Sequence, residues 1–238
     1  MGITNISTIR DDAFGELWKN IGTPTRADSP LRRFVTLQNN ASGLVLDLGP
    51  GNGSQLEFFK PEGVKAIYGA EPSSALHGPL EEAIKAKGLS GKYHVVHCGA
   101  EKASLVPALK DIGLLQDGQP GVFDTIVCSK VLCCVPNQKD TVDGLYELLK
   151  PGGTLIMCEH IRNRCETPKG SILSRSIQII FTFIGWPFFL GGCHLNRDTA
   201  QVVEAAAKKD GGWESAEVDY VVEWGSIPFA IGQFVKKA

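Results

Sequence analysis

Residues 44–53 read Leu-Val-Leu-Asp-Leu-Gly-Pro-Gly-Asn-Gly, an apolar strand that runs directly into an acid and three alternating glycines. The dinucleotide fingerprint G-x-G-x-x-G/A does not fit, because counting from Gly49 or from Gly51 puts neither glycine nor alanine at its last position. Glycine has no Cβ and tolerates positive φ, so this loop lets a ligand approach the backbone closely. Asp47 ends the strand as an acid that suits a cationic ammonium. The stretch therefore predicts a nucleoside that carries an amino acid, not a pyrophosphate.

Length, composition and charge describe an ordinary globular domain. The chain has 238 residues, of which 43% are hydrophobic and 21% are charged, enough apolar side chains to fill a core. The net charge is −2 and the lysines and arginines are dispersed, so no nucleic-acid partner is predicted. Seven cysteines, none in C-x-x-C spacing, predict reduced thiols in a cytoplasmic protein.

Two stretches bear on targeting and membranes. Arg10, Asp11 and Asp12 interrupt the N-terminus before an apolar run forms, so we expect no signal peptide. The longest apolar stretch, residues 177–190, falls short of the roughly 20 residues that a membrane span requires. We interpret it as a pocket cover or an interfacial segment, and we do not favour contact with a membrane.

Apolar runs and helical patterns alternate from residue 44 onward. Runs typical of strands occupy residues 44–48, 66–69, 93–97, 123–128 and 154–158. Helical patterns lie between them, at residues 55–59, 74–87, 103–112 and 138–149. Strands separated by helices predict a parallel sheet with both faces covered.

Both ends of the chain add to this sheet. A helix over residues 197–209 and β-like runs at 216–222 and 229–235 predict an antiparallel hairpin that closes one edge. Segments 12–20 and 31–38 predict two helices over the mouth of the site. We therefore predict an α/β fold in one domain: a doubly wound, Rossmann-like, seven-stranded and mostly parallel sheet with an antiparallel C-terminal hairpin and an N-terminal helical cover. Its expected parts are a helical cap (1–42), a cofactor-binding core (43–160), a substrate lid (161–196) and a C-terminal helix and hairpin (197–238).

The strand ends hold the residues of chemical interest, because ligands of open α/β sheets bind at the carboxyl ends of the strands. The second predicted strand ends at Glu71, about 20 residues beyond the glycines, where an acid binds two ribose hydroxyls. The third leads to Ala100 and Glu101, which suit the edge of an adenine. The fourth and fifth end near Ser129 and His160. The acid and the glycine loop thus support the same nucleoside ligand.

Four of these features in order carry a resemblance to a known family. LDLGPGNG, the acid Glu71, FDTIVCS and LLKPGGTLIMCEH together resemble the class I S-adenosylmethionine-dependent methyltransferases over roughly residues 43–160. VCSKVLCCVPNQ, MCEH and GGCHLNRDT resemble more narrowly a small methyltransferase-like family of animals, which S-methylates alkyl thiols on endoplasmic reticulum or lipid droplets. We expect this chain to depart from that family by lacking a long hydrophobic N-terminal anchor, and it carries His194 where the animal proteins usually carry Asn.

The resemblance implies a role for each cofactor-binding position. It assigns Gly49, Gly51 and Gly53 to the methionine part of S-adenosylmethionine, Asp47 to its amino group, Glu71 to the ribose hydroxyls, Ala100 and Glu101 to the adenine edge, and Ser129 to the backbone beside the sulfonium. The implied reaction is an in-line displacement, to which positioning contributes much of the acceleration.

The acceptor side is less determined by the sequence. His160 is a candidate general base or orienting residue, since the pKa of histidine lies near neutrality, and His194 is a candidate substrate contact. An aromatic-rich run is a candidate wall for an organic substrate, and it comprises Phe181, Phe183, Trp186, Phe188 and Phe189. Cys133 and Cys134 are interpreted as small buried apolar residues. Metal-dependent catechol-type enzymes place an acid where this chain has Ser129, so we predict no metal.

Three functions are compatible with these residues. The leading one is methyl transfer from S-adenosylmethionine to a small, fairly apolar molecule, with a thiol favoured because its pKa near 8.5 already leaves it partly ionised. An O- or N-methyltransferase of a specialised metabolite is the first alternative. A protein of this fold that binds the cofactor but acts as a cyclase or lyase is the second, because binding residues do not report turnover.

Overall fold

A seven-stranded sheet organises the chain in the computed structural model, which describes residues 13–19 and 29–238. The strands are β1 (Gly43–Leu48), β2 (Val64–Ala70), β3 (Tyr93–Val96), β4 (Phe123–Ser129), β5 (Leu149–His160), β6 (Ser215–Val221) and β7 (Phe229–Val235). They lie in the order β3-β2-β1-β4-β5-β7-β6, and every pairing is parallel except those of β7. The predicted fold class is confirmed. Because the order reverses between β1 and β4, a crevice opens at the carboxyl ends of these two strands.

Helices cover both faces of the sheet. They are α1 (13–19), α2 (Arg32–Asn39), α3 (Ser74–Ala86), α4 (Lys102–Asp111), α5 (Gln138–Leu148), α6 (Ile172–Phe183), α7 (Trp186–Phe189) and α8 (Thr199–Ala206). Apolar side chains of α4, α5 and α8 form one core cluster, and those of α2 and α3 form the other. The two clusters lie on opposite faces, since Val45 of β1 joins one and its neighbour Leu46 joins the other. A strand buried on both faces reads as a continuous apolar run, which explains the sequence of β1.

Three predicted elements differ in extent from the structure. The helix predicted over 55–59 is a single 3-10 turn, Leu56–Phe58, because Pro61 disfavours a helical conformation at the residue before it. The helix predicted over 197–209 begins only at Thr199 and ends at Ala206, since the Arg197 side chain instead donates to carbonyls of another loop. Strand β5 begins at Leu149, five residues before the predicted start.

The N-terminal segments take two different places. Residues 13–19 are helical as predicted for segment 12–20, whose two end residues lie outside the described part of the chain. Phe34 and Leu37 of α2 are buried in the core against the sheet, so α2 is a layer of the fold as well as a neighbour of the site. Within residues 13–19 and 29–238, no helix is both long enough and apolar enough to cross a bilayer.

Candidate functional site

The predicted site residues follow one edge of the sheet in the order of its strands. Ala100 and Glu101 come after β3, and Glu71 comes after β2. Asp47 and the glycine loop are at the end of β1, Ser129 ends β4 and His160 ends β5. Parallel pairing of these five strands puts all of their carboxyl ends at the same edge. Residues up to 113 positions apart in sequence therefore lie along the same edge of the sheet.

The glycine loop has the conformation that its sequence predicts. Gly49, Gly51 and Gly53 have φ of +62°, +62° and +78°, values that residues with a Cβ rarely adopt. Neighbours also fill the space where side chains would be: a Cβ on Gly49 would collide with Val131, and one on Gly53 would lie 2.6 Å from Ala83 Cβ. The loop needs glycine for its backbone conformation and for its packing.

The Glu71 carboxylate fixes this loop to the end of β2. Its Oε2 accepts a hydrogen bond from the backbone N–H of Gly51 at 3.0 Å, and its Oε1 accepts one from Ser73 at 2.9 Å. Burial raises the pKa of this carboxyl group, although both backbone donors oppose the shift. Each carboxylate oxygen has two lone pairs, so both retain acceptor capacity for hydroxyl groups of a ligand.

Asp47 is a buried acid, only 6% exposed, behind the glycine loop. Its Oδ2 accepts a hydrogen bond from the Tyr93 hydroxyl at 2.7 Å. Burial raises its pKa to about 7; the Tyr93 hydrogen bond opposes this rise, and the charge of Glu71 adds to it. Because burial makes the carboxyl group costly to ionise, a cationic partner would stabilise its ionised form strongly.

Ser129 faces the same cavity as Asp47 and Gly49. The cavity is lined by Trp18, Phe34, Gln38, Asp47, Gly49, Pro50, Ser54, Gln55, Val127, Ser129 and Lys130. The Ser129 Oγ is buried without a hydrogen-bond partner in the described part of the chain. Lys130 follows with φ of +59°, a conformation that is uncommon for a non-glycine residue. Ala100 and Glu101 do not line this cavity and lie farther along the edge, where Glu101 precedes α4.

Helix α1 covers this cavity and also reaches the lid. The indole of Trp18 lies over the glycine loop, with Nε1 2.8 Å from the position of a Cβ on Gly51, and its ring is 5.6 Å from Lys130 Nζ. Phe14 stacks on Trp18 at 5.4 Å and packs against Gly191, which follows α7. One helix therefore connects the glycine loop with the lid.

At the end of β5, His160 lies beside two cysteine thiols. Its Nδ1 is 3.4 Å from Cys193 Sγ and 3.7 Å from Cys133 Sγ, and the two sulfurs are 3.8 Å apart. Its ring packs on Phe229 with centroids 4.6 Å apart. Hydrogen bonding with the Cys133 and Cys134 thiols lowers the pKa of Cys193, whereas hydrogen bonding with the Cys134 and Cys193 thiols, and then burial, raises that of Cys133. The cysteines of the chain form no disulfide among the described residues.

The buried acid Glu159 holds the loop that carries Cys133. Its carboxylate accepts hydrogen bonds from the backbone N–H groups of Val131 and Leu132 at 3.0 Å each and of Cys133 at 3.1 Å. Burial raises its pKa, and these three backbone donors oppose the shift. Glu159 thus fixes the backbone of residues 131–133, between Ser129 and the thiol of Cys133.

The lid brings only part of the predicted aromatic wall inward. Phe181 and Trp186 stack with their centroids 5.1 Å apart and pack against Cys133 and Cys193. Three predicted wall residues, Phe183, Phe188 and Phe189, instead point outward with 85%, 53% and 65% exposure. This part of the prediction is wrong because α6 carries apolar side chains on both of its faces, and the rings on the outer face of α6 and α7 have no packing partner that buries them in the described part of the chain.

His194 is half-buried beside the same thiols. Its backbone N–H donates to the Cys133 carbonyl at 2.9 Å, which ties the end of the lid to the loop after β4. The structure therefore brings His160 and His194 to one side of the crevice, next to Cys133 and Cys193.

Several residues of the site carry no recognisable sequence signal. Trp18 lies outside the sheet, and Tyr93 opens β3, a strand away from its partner Asp47. Cys133 and Cys193 are 60 residues apart, so no spacing rule joins them. By contrast, Glu159 has a sequence signal, because it is an acid at the end of an apolar strand.

Comparison with known proteins identifies relatives of the whole fold. A family model described as a methyltransferase domain matches residues 20–210. The thiol S-methyltransferase TMT1B of Rattus norvegicus is 27% identical over 188 residues, which are 78% of this chain and 64% of that protein. The ubiquinone biosynthesis O-methyltransferase of Methylococcus capsulatus is 31% identical over 131 residues, 54% of this chain and 49% of that protein. The chain thus spans less than two thirds of the length of these relatives.

A solved structure shows the same fold at low sequence identity. The N-methyltransferase NodS from Bradyrhizobium japonicum WM9, in complex with S-adenosylhomocysteine, superimposes with a TM-score of 0.59 and 15% identity. The match covers 96% of this chain and all of that protein.

Proposed function

The chain belongs to the methyltransferase-domain family, and from that premise we propose that it transfers a methyl group from S-adenosylmethionine to a small, fairly apolar acceptor, with the sulfur of a thiol favoured. One observation carries the proposal. The carboxyl ends of five neighbouring strands present, in order, residues suited to an adenine, a ribose, an amino acid and an acceptor. An elongated nucleoside with an amino-acid tail matches this sequence of groups.

The residues fit S-adenosylmethionine at three places. Because the positive-φ glycines have no side chains, the methionine part of the cofactor can approach the backbone of the loop closely. The Asp47 carboxyl, whose ionisation burial disfavours, would gain a cationic partner in the ammonium. The orphaned Ser129 Oγ would gain a partner beside the sulfonium. When bound, S-adenosylmethionine supplies a methyl group attached to a positively charged sulfur.

The remaining roles follow the strand order. Glu71 would hold the ribose hydroxyls with the lone pairs that Gly51 and Ser73 leave available. Ala100 and Glu101 would border the adenine. Trp18 would cover the bound cofactor and exclude water from it.

A thiol acceptor is favoured by the chemistry of the opposite wall. Phe181 and Trp186 supply apolar surface, and a thiol needs little help to lose its proton. The match to the rat thiol S-methyltransferase also extends over 78% of this chain, whereas the match to the O-methyltransferase extends over 54%. His160 and His194, both on this side, are the candidates for orienting the acceptor or accepting its proton.

An oxygen acceptor is the second candidate. The specific observation in its favour is the 31% identity to the bacterial ubiquinone biosynthesis O-methyltransferase. A phenol requires a stronger base than a thiol at neutral pH, because its pKa is near 10. The product of the acceptor panel, an aryl ether from a phenol or a thioether from a thiol, therefore separates the two candidates.

The test is methyl transfer from labelled S-adenosylmethionine to a panel of thiols, phenols, carboxylic acids and amines. We expect labelled thioether and an equal amount of S-adenosylhomocysteine. Glu71→Gln should weaken cofactor binding at least about tenfold because it replaces the charged acceptor of two buried donors. Glu81→Gln, on the exposed side of α3, is the matched control and should change nothing.

Two results would overturn this proposal. Transfer to phenols but to no thiol would assign the chain to the oxygen acceptors. Tight binding of S-adenosylmethionine without any S-adenosylhomocysteine, over the entire panel, would favour the cyclase or lyase alternative.

A further inference from the structure

Three side chains from separate elements converge behind the lid. Cys133 belongs to the loop after β4, His160 ends β5 and Cys193 follows α7. Their Sγ, Nδ1 and Sγ atoms lie within 4.8 Å of one another. Cys133 is fully buried and Cys193 is 4% exposed, so both thiols are shielded from bulk water.

The separations of the three atoms match those around a tetrahedral ion. They are 3.8 Å between the two sulfurs and 3.4 and 3.7 Å between the sulfurs and Nδ1. Zinc bonds of about 2.3 Å to sulfur and about 2.0–2.1 Å to nitrogen place neighbouring ligand atoms of a tetrahedron about 3.5–3.8 Å apart. The three atoms therefore occupy the corners of one face of such a site without rearrangement.

The backbone around the cluster is held firmly and its charges balance. Arg197 Nη1 donates to the carbonyls of Cys133 at 3.1 Å and Val135 at 2.6 Å, and Glu159 accepts the Cys133 N–H. The positive and negative side chains that clamp this loop offset each other. Two thiolates would then match the charge of one divalent cation.

The cluster borders apolar side chains and one buried donor that lacks an acceptor among the described residues. Phe181 and Trp186 form an apolar wall against it. The Trp186 Nε1–H is buried and finds no acceptor among the described residues. A buried donor of this kind is ordinarily satisfied, and an acceptor atom of a bound molecule would satisfy it.

We propose that Cys133, His160 and Cys193 bind one zinc ion through three protein ligands, and that the fourth position receives the sulfur of the thiol acceptor. The role of the fourth position rests on the proposed function above. Two thiolates and an imidazole are donors that zinc favours, and a three-ligand site with one open position is its catalytic form. Binding releases one proton from each cysteine, while neutral His160 contributes the Nδ1 lone pair.

This site gives His160 a role different from that of a general base. As a ligand through Nδ1 it holds the metal, and the acceptor thiol loses its proton to solvent when its sulfur joins the ion. The predicted absence of metal rested on Ser129 and on missing C-x-x-C spacing. Neither criterion addresses ligands 27 and 33 residues apart that only the fold brings together.

The first experiment measures metal content of the full chain by mass spectrometry after equilibration with zinc and gel filtration. We expect about one zinc per chain, falling below about a tenth in Cys133→Ser, Cys193→Ser and His160→Gln. Cys165→Ser removes a half-buried thiol outside the cluster and should retain full occupancy. Binding of S-adenosylmethionine by each variant confirms that the fold is intact.

The second experiment replaces zinc with cobalt and records the visible spectrum. Thiolate coordination should give an intense charge-transfer band, and benzyl mercaptan should shift the visible bands as it takes the fourth position. Absence of metal, or a Cys133–Cys193 disulfide in its place, would overturn the site. Visible bands that do not shift on addition of benzyl mercaptan would overturn the open fourth position. Loss of metal in Cys134→Ser would overturn it too, because Cys134 Sγ lies 3.6 Å from Cys133 Sγ and would then be the fourth ligand.

These outcomes are independent of the methyl-transfer assay. A chain that methylates thiols without holding metal overturns this inference alone. A chain that holds zinc and binds the thiol to it, yet never forms S-adenosylhomocysteine, overturns the proposed function alone.

Discussion

Gly49 is the residue at which backbone conformation and packing most directly limit substitution. Its φ is +62°, and Val131 from the loop after β4 occupies the place of its Cβ. Val131 is also held by Glu159, so it has little freedom to move aside. The loop therefore requires a residue without a Cβ at position 49.

Gly49→Ala should destabilise the protein by about 1–3 kcal/mol and weaken cofactor binding more than tenfold. The strained φ and the collision with Val131 both act in the same direction. Urea unfolding and calorimetric titration with S-adenosylhomocysteine measure the two effects. Gly78→Ala, in an exposed part of α3 with open space around it, is the control and should stabilise by up to about 1 kcal/mol. Equal effects of the two substitutions would contradict this account of the loop.

Asp47 links cofactor affinity to pH. Because its pKa is about 7 in the free protein and an ammonium partner favours the ionised form, binding releases a proton. Affinity for S-adenosylhomocysteine should therefore rise about tenfold between about pH 6 and pH 7.5. Asp47→Asn should bind more weakly and lose this slope, as titration calorimetry in buffers of different ionisation heat will show. A slope that survives in the variant would assign the proton to another group.

At the scale of elements, the lid divides its aromatic residues between two faces. Phe181 and Trp186 pack toward the thiols, and Phe183 lies on the outer face of the same helix. The apolar sequence of residues 177–190 predicts burial for all of them, because composition alone does not reveal which side of a short helix has a partner.

Phe181→Ala should raise the KM of the acceptor several-fold and leave the dissociation constant of the cofactor unchanged. The truncated side chain no longer stacks on Trp186, so the acceptor wall loses area while the glycine loop is untouched. Phe183→Ala, at an 85% exposed position, should leave both constants as they are. Steady-state kinetics and calorimetry suffice, and a matching rise in KM for Phe183→Ala would contradict the division of faces.

The elements themselves were largely predictable from sequence, and the exceptions have local causes. Strands with continuous apolar runs, such as β1 and β4, lie within two residues of their predicted bounds. Strand β5 extends back through Pro151 and Gly152, residues whose chemistry favours a turn, because Leu149 pairs with Phe123 at that end. Tertiary pairing there outweighs local propensity.

At the scale of the whole molecule, the strand order of the sheet brings together residues that no local sequence motif contains. It aligns five strand ends, which is why each residue proposed for the cofactor side is recognisable by its position after a strand, while its role toward the cofactor stays a prediction. The acceptor side could not be predicted in the same way. Cys133, His160 and Cys193 meet only because β4, β5 and the lid converge, and their sequence separations follow no rule.

Buried carboxyl groups should make the cofactor-free protein less stable as pH rises. Asp47 and Glu71 have folded-state pKa values above their ordinary ones, so the folded state holds these protons more tightly than the unfolded state. Their contribution is complete at acid pH below the ordinary carboxyl range and is lost as pH passes through about 7. Urea unfolding from about pH 5 to pH 8 should show the decline. Asp47→Asn should flatten it, and an unchanged slope would place the proton uptake elsewhere.

The contact of α1 with both the glycine loop and the lid bears on the timing of turnover. Trp18 rests over Gly51 while Phe14, stacked on it, packs against Gly191, so one short helix contacts both the glycine loop and the segment after α7. With the products bound as proposed, we expect both to depart only after that helix moves. We expect a burst of thioether in the first turnover followed by a slower steady rate set by departure. Trp18→Ala should shrink the burst relative to Leu17→Ala, which alters the outward side of the same turn.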